Sequence, residues 1–336
     1  MKTRRRTLSG ILLIWLLILA GSGLEELNAQ TQKIKLAYVS PSGALSVPWV
    51  AKEAGLFEKY GVEAELIFIR GASTMIQTLV SGDIDIAHVA ANPAVEASLG
   101  GADVVVLATA LNRPVGFYLM AQPGVKSVEE LRGGRIGITR FGSATDLLSR
   151  MALRQFNLSA DRDVALIQLG GIPEIAAGLK AKIVRAGFLS SPLNLDLKEL
   201  GFNVLVDFGR DLAFPHAPLV ARRTTMKQKD QAIRGAVRAF AEGIKVYLTQ
   251  RDFTIRVLEK YTRTSDQKKL AQTYETYAPF WEKVPYVDLK GIENILAEIA
   301  SRHPGARNRK PADFVDHRYV KALEESGFFR NLYGER

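Results

Sequence analysis

The run Ile138-Thr139-Arg140-Phe141-Gly142-Ser143-Ala144-Thr145-Asp146 joins a short apolar alternation to a helical pattern through an arginine, a glycine and two hydroxyl residues. A like succession, Ile69-Arg70-Gly71-Ala72-Ser73-Thr74, stands earlier in the chain. Three chemistries use such a run. A serine-hydrolase elbow needs G-x-S-x-G, but Thr145 and Asp146 stand where the second glycine belongs, and no Asp-then-His pair follows at suitable positions. A phosphate loop needs G-x-x-x-x-G-K-[ST], which does not occur. An anion cradle asks only for bare backbone N–H groups at a helix start, little side-chain bulk and hydroxyls. Residues 71–74 and 142–145 both meet that description. The plainer alternative is that Ser73 and Ser143 or Thr145 only cap their helices, contributing about 1 kcal/mol each.

Arg70 and Arg140 have the fork geometry to neutralise an anion, although surface pairing is the commoner role for an arginine at a strand end. His216, in "AFPHAP", is either a cleft contact or a turn residue, while His88 falls in a strand and reads as buried. Trp49 and Phe141 are core aromatics by default, with packing on a ligand face as the alternative. With no cysteine, the chain has no disulfide, thiolate or Cys-ligated metal. The four histidines show neither HxH nor HExxH spacing, so neither a metal nor a cofactor is expected.

The elements that must hold these residues alternate. Strands are expected at 34–39, 62–69, 83–90 and 103–109, with helices at 47–60 and around 74–80 and a third opened by Asn92 as N-cap and Pro93. A second series begins near Ser127, whose spacing to Glu130 reads as a capping box. It continues with strands at 135–139, 163–169, 182–189 and 202–208, and with helices from Thr145, Pro173 and beyond Pro192. After Pro218 the pattern turns helical, at 226–249, 252–261, 265–280, 289–302 and 311–326. Such alternation implies largely parallel α/β sheets covered on both faces. The two series look like one plan used twice, which would set strand-end loops and helix N-termini around a shared cleft. A hinge is expected near 119–123 and 215–219.

The 336 residues are 47% hydrophobic and 24% charged, which suits one large or two medium globular domains. Lys2, Arg4, Arg5 and Arg6 precede the apolar core "ILLIWLLILA", and small residues then lead to Ala29. Basic, apolar, then polar is the order of a secretory signal, here expected over residues 1–29, with an uncleaved membrane anchor as the alternative. Its removal takes away four positive and two negative charges, so +10 becomes +8. The basic residues are scattered, so nucleic acid is not an expected partner.

Several stretches together resemble one family. They are "VPWVAKEAGLFEKYGVEAELIFIRGASTMIQTLVSGDIDIAHVA", "GADVVVLA", "SVEELRGGRIGI", "RFGSATD", "LIQLGGIPE", "ELGFNVLVD", "VPYV" and "PADFVDHRYVKALEESGF". The combination is similar to the NMT1/THI5-like, SsuA-type substrate-binding proteins of bacterial ABC transporters, across essentially the whole mature chain. The resemblance implies a periplasmic binding protein of type II, with two α/β lobes joined by a two-crossing hinge and a helical C-terminal segment. Lobe 1 would comprise 33–119 and 218–336, and lobe 2 would comprise 120–217. By the same resemblance, the cleft positions would be Ser42, Ser46, Ser73, Thr74, Asn92, Ser143, Thr145, Ser190, Ser191 and His216, to which the residue reading adds Arg140. One departure stands in "LKAKIVRAG", where Arg185 replaces an acid usual in relatives.

The expected function is that of a monomeric, non-catalytic periplasmic protein. It would capture a small anionic or aromatic organic ligand, of sulfonate, nitrate or pyrimidine-like class, and deliver it to an inner-membrane ABC permease with its ATPase. Two rivals remain. An enzyme on the same fold is opposed by the missing cysteines in its pyrimidine-precursor form and by the export signal in its menaquinone-pathway form. An exported sensor for a membrane receptor would use the same closure as its signal.

Overall fold

The computed structural model describes residues 32–334, within a single compact unit that begins at Gln32. The expected signal lies outside the described residues. Ten strands form two five-stranded sheets. The first half of the chain supplies β1 (Gln32–Tyr38), β2 (Val62–Phe68), β3 (Ile86–His88) and β4 (Val104–Thr109). The second supplies β5 (Phe117–Ala121), β6 (Arg135–Ile138), β7 (Ala165–Gln168), β8 (Ala186–Ser190) and β9 (Asn203–Asp207), after which the chain returns as β10 (Pro218–Arg222).

The sheet orders are β2-β1-β3-β10-β4 and β7-β6-β8-β5-β9. In each, the first three strands named are parallel, and the fourth runs antiparallel to both its neighbours. The repeated plan is therefore visible in the topology. The antiparallel strands β5 and β10 are the two strands missing from the sequence reading. "FYLMA" and "PLVAR" are short and stand outside the strand–helix rhythm, so periodicity has little to act on.

The crossings between the sheets occupy 110–116 and 208–217, and they run side by side. Phe214 N donates to Asn112 O at 2.8 Å and His216 N to Leu111 O at 2.9 Å. Because β5 already starts at Phe117, the first crossing precedes the expected 119–123.

Three local readings need correction. Ser127 caps nothing: a short 3-10 turn, Glu129–Leu131, forms instead, and Glu130 accepts from Lys126 N. Asn92 lies inside the helix Ala91–Leu99, whose cap is Ala90. The helix expected over 47–60 is two, Val47–Glu53 and Leu56–Lys59, because Gly55 at φ 68° takes the left-handed turn that ends the first.

Beyond β10 the longest helix, Asp230–Thr249, buries twelve residues including Phe240, Ile244 and Tyr247. The helix Gln267–Tyr277 packs on the loop after β1, where a Cβ at Gly43 would come within 2.6 Å of Tyr277. Among the described residues no helix is long and apolar enough to cross a membrane.

Candidate functional site

Strand ends and helix starts of both sheets meet around a cavity of about 60 Å³. From the first half come Ser40 and Ser42 after β1, Gly71 and Ala72 at the start of the helix Ala72–Ser81, and Val89 after β3. From the second come Phe117, Thr139, Ser143 to Thr145 at the start of the helix Ala144–Gln155, Ile172 at the start of the helix Ile172–Lys180, and Ser190. His216 arrives on the returning crossing. Five of the eleven expected positions thus line one cavity: Ser42, Ser143, Thr145, Ser190 and His216.

The other six stand apart from that wall, each in a describable place. Ser46 is buried and donates to Gly43 O at 2.7 Å. Ser191 donates to Asn194 Oδ1 at 2.9 Å. Thr74 is exposed on its helix. Arg140 is exposed and lies over Gly71, where a Cβ would sit 3.2 Å from its Cγ and Nε. Ser73 donates to Phe141 O at 2.8 Å, and Asn92 Nδ2 donates to Gly142 O at 2.8 Å. The last two are clasps from the first half onto the loop of the second.

That loop is built by hydroxyl exchange. The Ser143 hydroxyl donates to Arg140 O at 2.7 Å, and its oxygen accepts from Asp146 N at 3.4 Å, which is N-cap geometry. Thr145 Oγ1 accepts from Thr139 N at 2.8 Å and lies 2.7 Å from Ser143 Oγ. The capping role is therefore filled by the Ser143 oxygen, while its proton goes to Arg140 O. Gly142 turns the chain at φ 78°, a region that favours glycine.

No Lys, Arg, Asp or Glu lines the cavity. Its one titratable side chain is His216, which burial lowers to about 4, so the ring is neutral at pH 7. It lies 4.9 Å from the Phe117 ring, and its Nδ1 is buried without a partner. Ser40 Oγ is likewise buried and unpartnered. The sequence reading missed Ser40, which carries no motif. Positive potential comes instead from the backbone. The first intrahelical bonds are Met75 N to Gly71 O, Leu147 N to Ser143 O and Ile175 N to Gly171 O. Apart from Asp146 N, which Ser143 caps, and Pro173, which has no N–H, the N–H groups just before them at three helix starts are orphan donors that favour an acceptor-rich or anionic group. The rest of the wall is apolar: Val39, Leu45, Val89, Phe117 and Ile172. Among the described residues no group of three or more His, Cys, Asp or Glu is placed to hold a metal.

Just outside this wall sits a charged cluster that the sequence reading also missed. Asp146, Glu96, Arg150 and Arg302 converge behind Gly142, and Arg70 pairs with Glu174 at 3.1 Å. A carboxylate inside the apolar helix "ANPAVEASL" was the available signal for Glu96.

Comparison with known proteins adds four likenesses. The model of the NMT1-like family matches residues 27–257. A putative binding protein of Brucella abortus (strain 2308) is 26% identical over 216 residues, 62% of this chain and 65% of the relative, so the match spans under two thirds of that protein. A putative aliphatic sulfonates-binding protein of Bacillus subtilis (strain 168) is 25% identical over 326 residues, 94% of this chain and 96% of its own length. Among solved structures, the alkanesulfonate-binding protein SsuA from Xanthomonas axonopodis pv. citri, bound to MOPS, superposes with a TM-score of 0.73 at 18% identity, covering 85% of this chain and 98% of that one. At that identity the likeness shows the fold, which is that of the type II periplasmic binding proteins.

Proposed function

The chain belongs to the NMT1-like family, and from that premise we propose that it is the solute-binding component of an ABC importer. It captures a small organic molecule between its halves and delivers it to a membrane permease. The observation that carries this reading is the cavity itself, where three helix N-termini from two sheets converge on an apolar pocket free of charged side chains. Such a pocket suits a ligand with one compact acceptor-rich or anionic head and an apolar remainder. The N–H groups at 72–73 and 144–145 take the head, and Phe117, Leu45 and Val89 take the body. Ser42, Thr145, Ser190 and His216 orient it, while Ser143 holds the loop. Ser73 and Asn92 serve closure, and Thr74, Ser46, Ser191 and Arg140 stand behind or beside the contact set.

Against the expected lobes of 33–119 with 218–336 and 120–217, we draw the first boundary back to the crossing at 110–116, which leaves β5 in the second lobe. At about 60 Å³ the cavity is well below the roughly 150 Å³ that accommodates benzene, so an organic ligand enters by separation of the lobes. The protein acts as a monomer in the periplasm, after removal of residues 1–29, and without catalysis.

Calorimetric titration with an alkanesulfonate, nitrate and a neutral aromatic heterocycle tests the reading, beside native mass spectrometry of freshly purified protein. One class should bind at one site per chain, and Gly71→Val should abolish that binding. Binding unaffected by Gly71→Val would place the ligand elsewhere.

A further inference from the structure

We infer that Glu96, Asp146 and Arg302 form a latch across the cleft that takes up a proton when the halves close, making them positioning residues for the ligand-binding loop. The inference rests on reading the cleft as the ligand site. Glu96 stands on the helix Ala91–Leu99 of the first half, and Asp146 in the first turn of the helix Ala144–Gln155 of the second. Arg302 follows the helix Leu289–Ile299 and reaches both acids, 3.2 Å from Asp146 Oδ2 and 3.6 Å from Glu96 Oε1. Between them runs the loop Phe141–Ser143, held by Ser73, by Asn92 and by Gly142 N donating to Asp146 Oδ2 at 2.9 Å.

The two acids are unequally served. Asp146 has Arg150 Nε at 2.7 Å on one oxygen, and Arg302 with Gly142 N on the other. Glu96 is mostly buried, and its Oε1 has no hydrogen-bond partner. Gly142 covers its second oxygen, 3.2 Å from where a Cβ would stand. The charged groups around Glu96 are Asp146 and Arg150 from one helix, and Arg302 and His303 from the C-terminal segment, with His303 Nε2 at 4.0 Å. The helix Ala72–Ser81 and β4, which pack on the same helix, carry no ionisable side chain, and Arg222 of β10 lies instead against Gly82.

Burial, with Asp146 adding to it, raises Glu96 from 4.5 to about 7, and Arg302 only partly opposes the shift. When the halves part, Gly142, Asp146 and Arg150 withdraw, and Glu96 returns toward its ordinary range. The closed form thus binds the proton more tightly. Closure is unpenalised below about pH 4.5, weakens as pH rises to about 7, and is flat above that, by at most about tenfold in the closed-to-open ratio per pH unit.

The absence of native cysteine allows a clean test. Gln77→Cys and Ala177→Cys, at exposed positions on facing halves, take a donor and an acceptor dye, and single-molecule energy transfer is read without ligand from pH 5 to 8. The closed-to-open ratio should fall tenfold or more across that range in the otherwise wild-type protein. Glu96→Gln should hold it high and flat, and Arg302→Gln should lower it most at pH 8. A pH-independent closed population, a Glu96→Gln curve that follows the wild type, or an Arg302→Gln curve that does so would overturn the latch. Intact pH-dependent closure in a protein that binds none of the titrated solutes counts against the binding reading alone.

Discussion

At the scale of single residues, the cavity is electrically neutral but edged by strongly perturbed groups. Burial lowers both His88 and His216 from 6.5 to about 4. A group with a depressed folded pKa contributes stability that is complete above its unfolded value and is lost as pH falls, here between 6.5 and about 4. Each histidine is thus expected to account for about 3 kcal/mol of acid destabilisation. His216→Leu should narrow the stability gap to wild type as pH drops through that window, as read by denaturant melts at stepped pH. A gap constant with pH would contradict a neutral buried His216. Ser143 makes a second case. Its proton goes to Arg140 O and its oxygen caps Asp146 N, so Ser143→Ala should cost about 1 kcal/mol of stability and change ligand affinity less than threefold. A tenfold loss of affinity with an unchanged melting curve would make Ser143 a direct ligand donor instead.

At the scale of elements, the helix Gln267–Tyr277 acts as a brace between the loop after β1 and the first crossing. Tyr277 is fully buried against Gly43 and Gly116, and a Cβ at Gly43 would stand 2.5 Å from Thr273 Cγ2. Gly43→Ala should therefore cost roughly 1–3 kcal/mol through overpacking, seen as a lower Tm in calorimetry. An unchanged Tm would mean that the brace yields freely. Elements of this kind were unevenly legible in the sequence. The strands β1, β2 and β4 and the helices around them announce themselves, because alternation and turn chemistry agree along each. β5 and β10 do not, since each is five residues long and is specified by neighbours far away in the chain. Within the site, Gly71 and the 142–145 loop were readable from local grammar. Ser40 and Arg302 were not, and Glu96 showed only as a carboxylate in an apolar helix, because their roles arise only where distant segments meet. Asn92 reads as polar and helix-initiating in the sequence, yet its clasp on Gly142 needs the second sheet to be in place.

At the scale of the whole molecule, ligand should draw the two halves together about the paired crossings. Small-angle scattering with and without a binding solute should show a smaller radius of gyration at saturation, and an unchanged radius would argue against hinge motion. The intact mass of periplasmic material should correspond to a chain beginning at residue 30, and a soluble species starting at Met1 would contradict export by cleavage. The position of β10 bears on how such a chain is assembled. β10 fills the slot between β3 and β4 and bonds to both, yet it lies more than a hundred residues further along the chain. During synthesis the first sheet is therefore left with a gap, its β3 and β4 edges unpaired, until residue 222 emerges. The second sheet is drawn from one unbroken stretch, 117–207, and needs nothing that follows it. The later-made half can thus finish first, and the earlier-made half must wait with open strand edges, which are the surfaces that attract wrong partners.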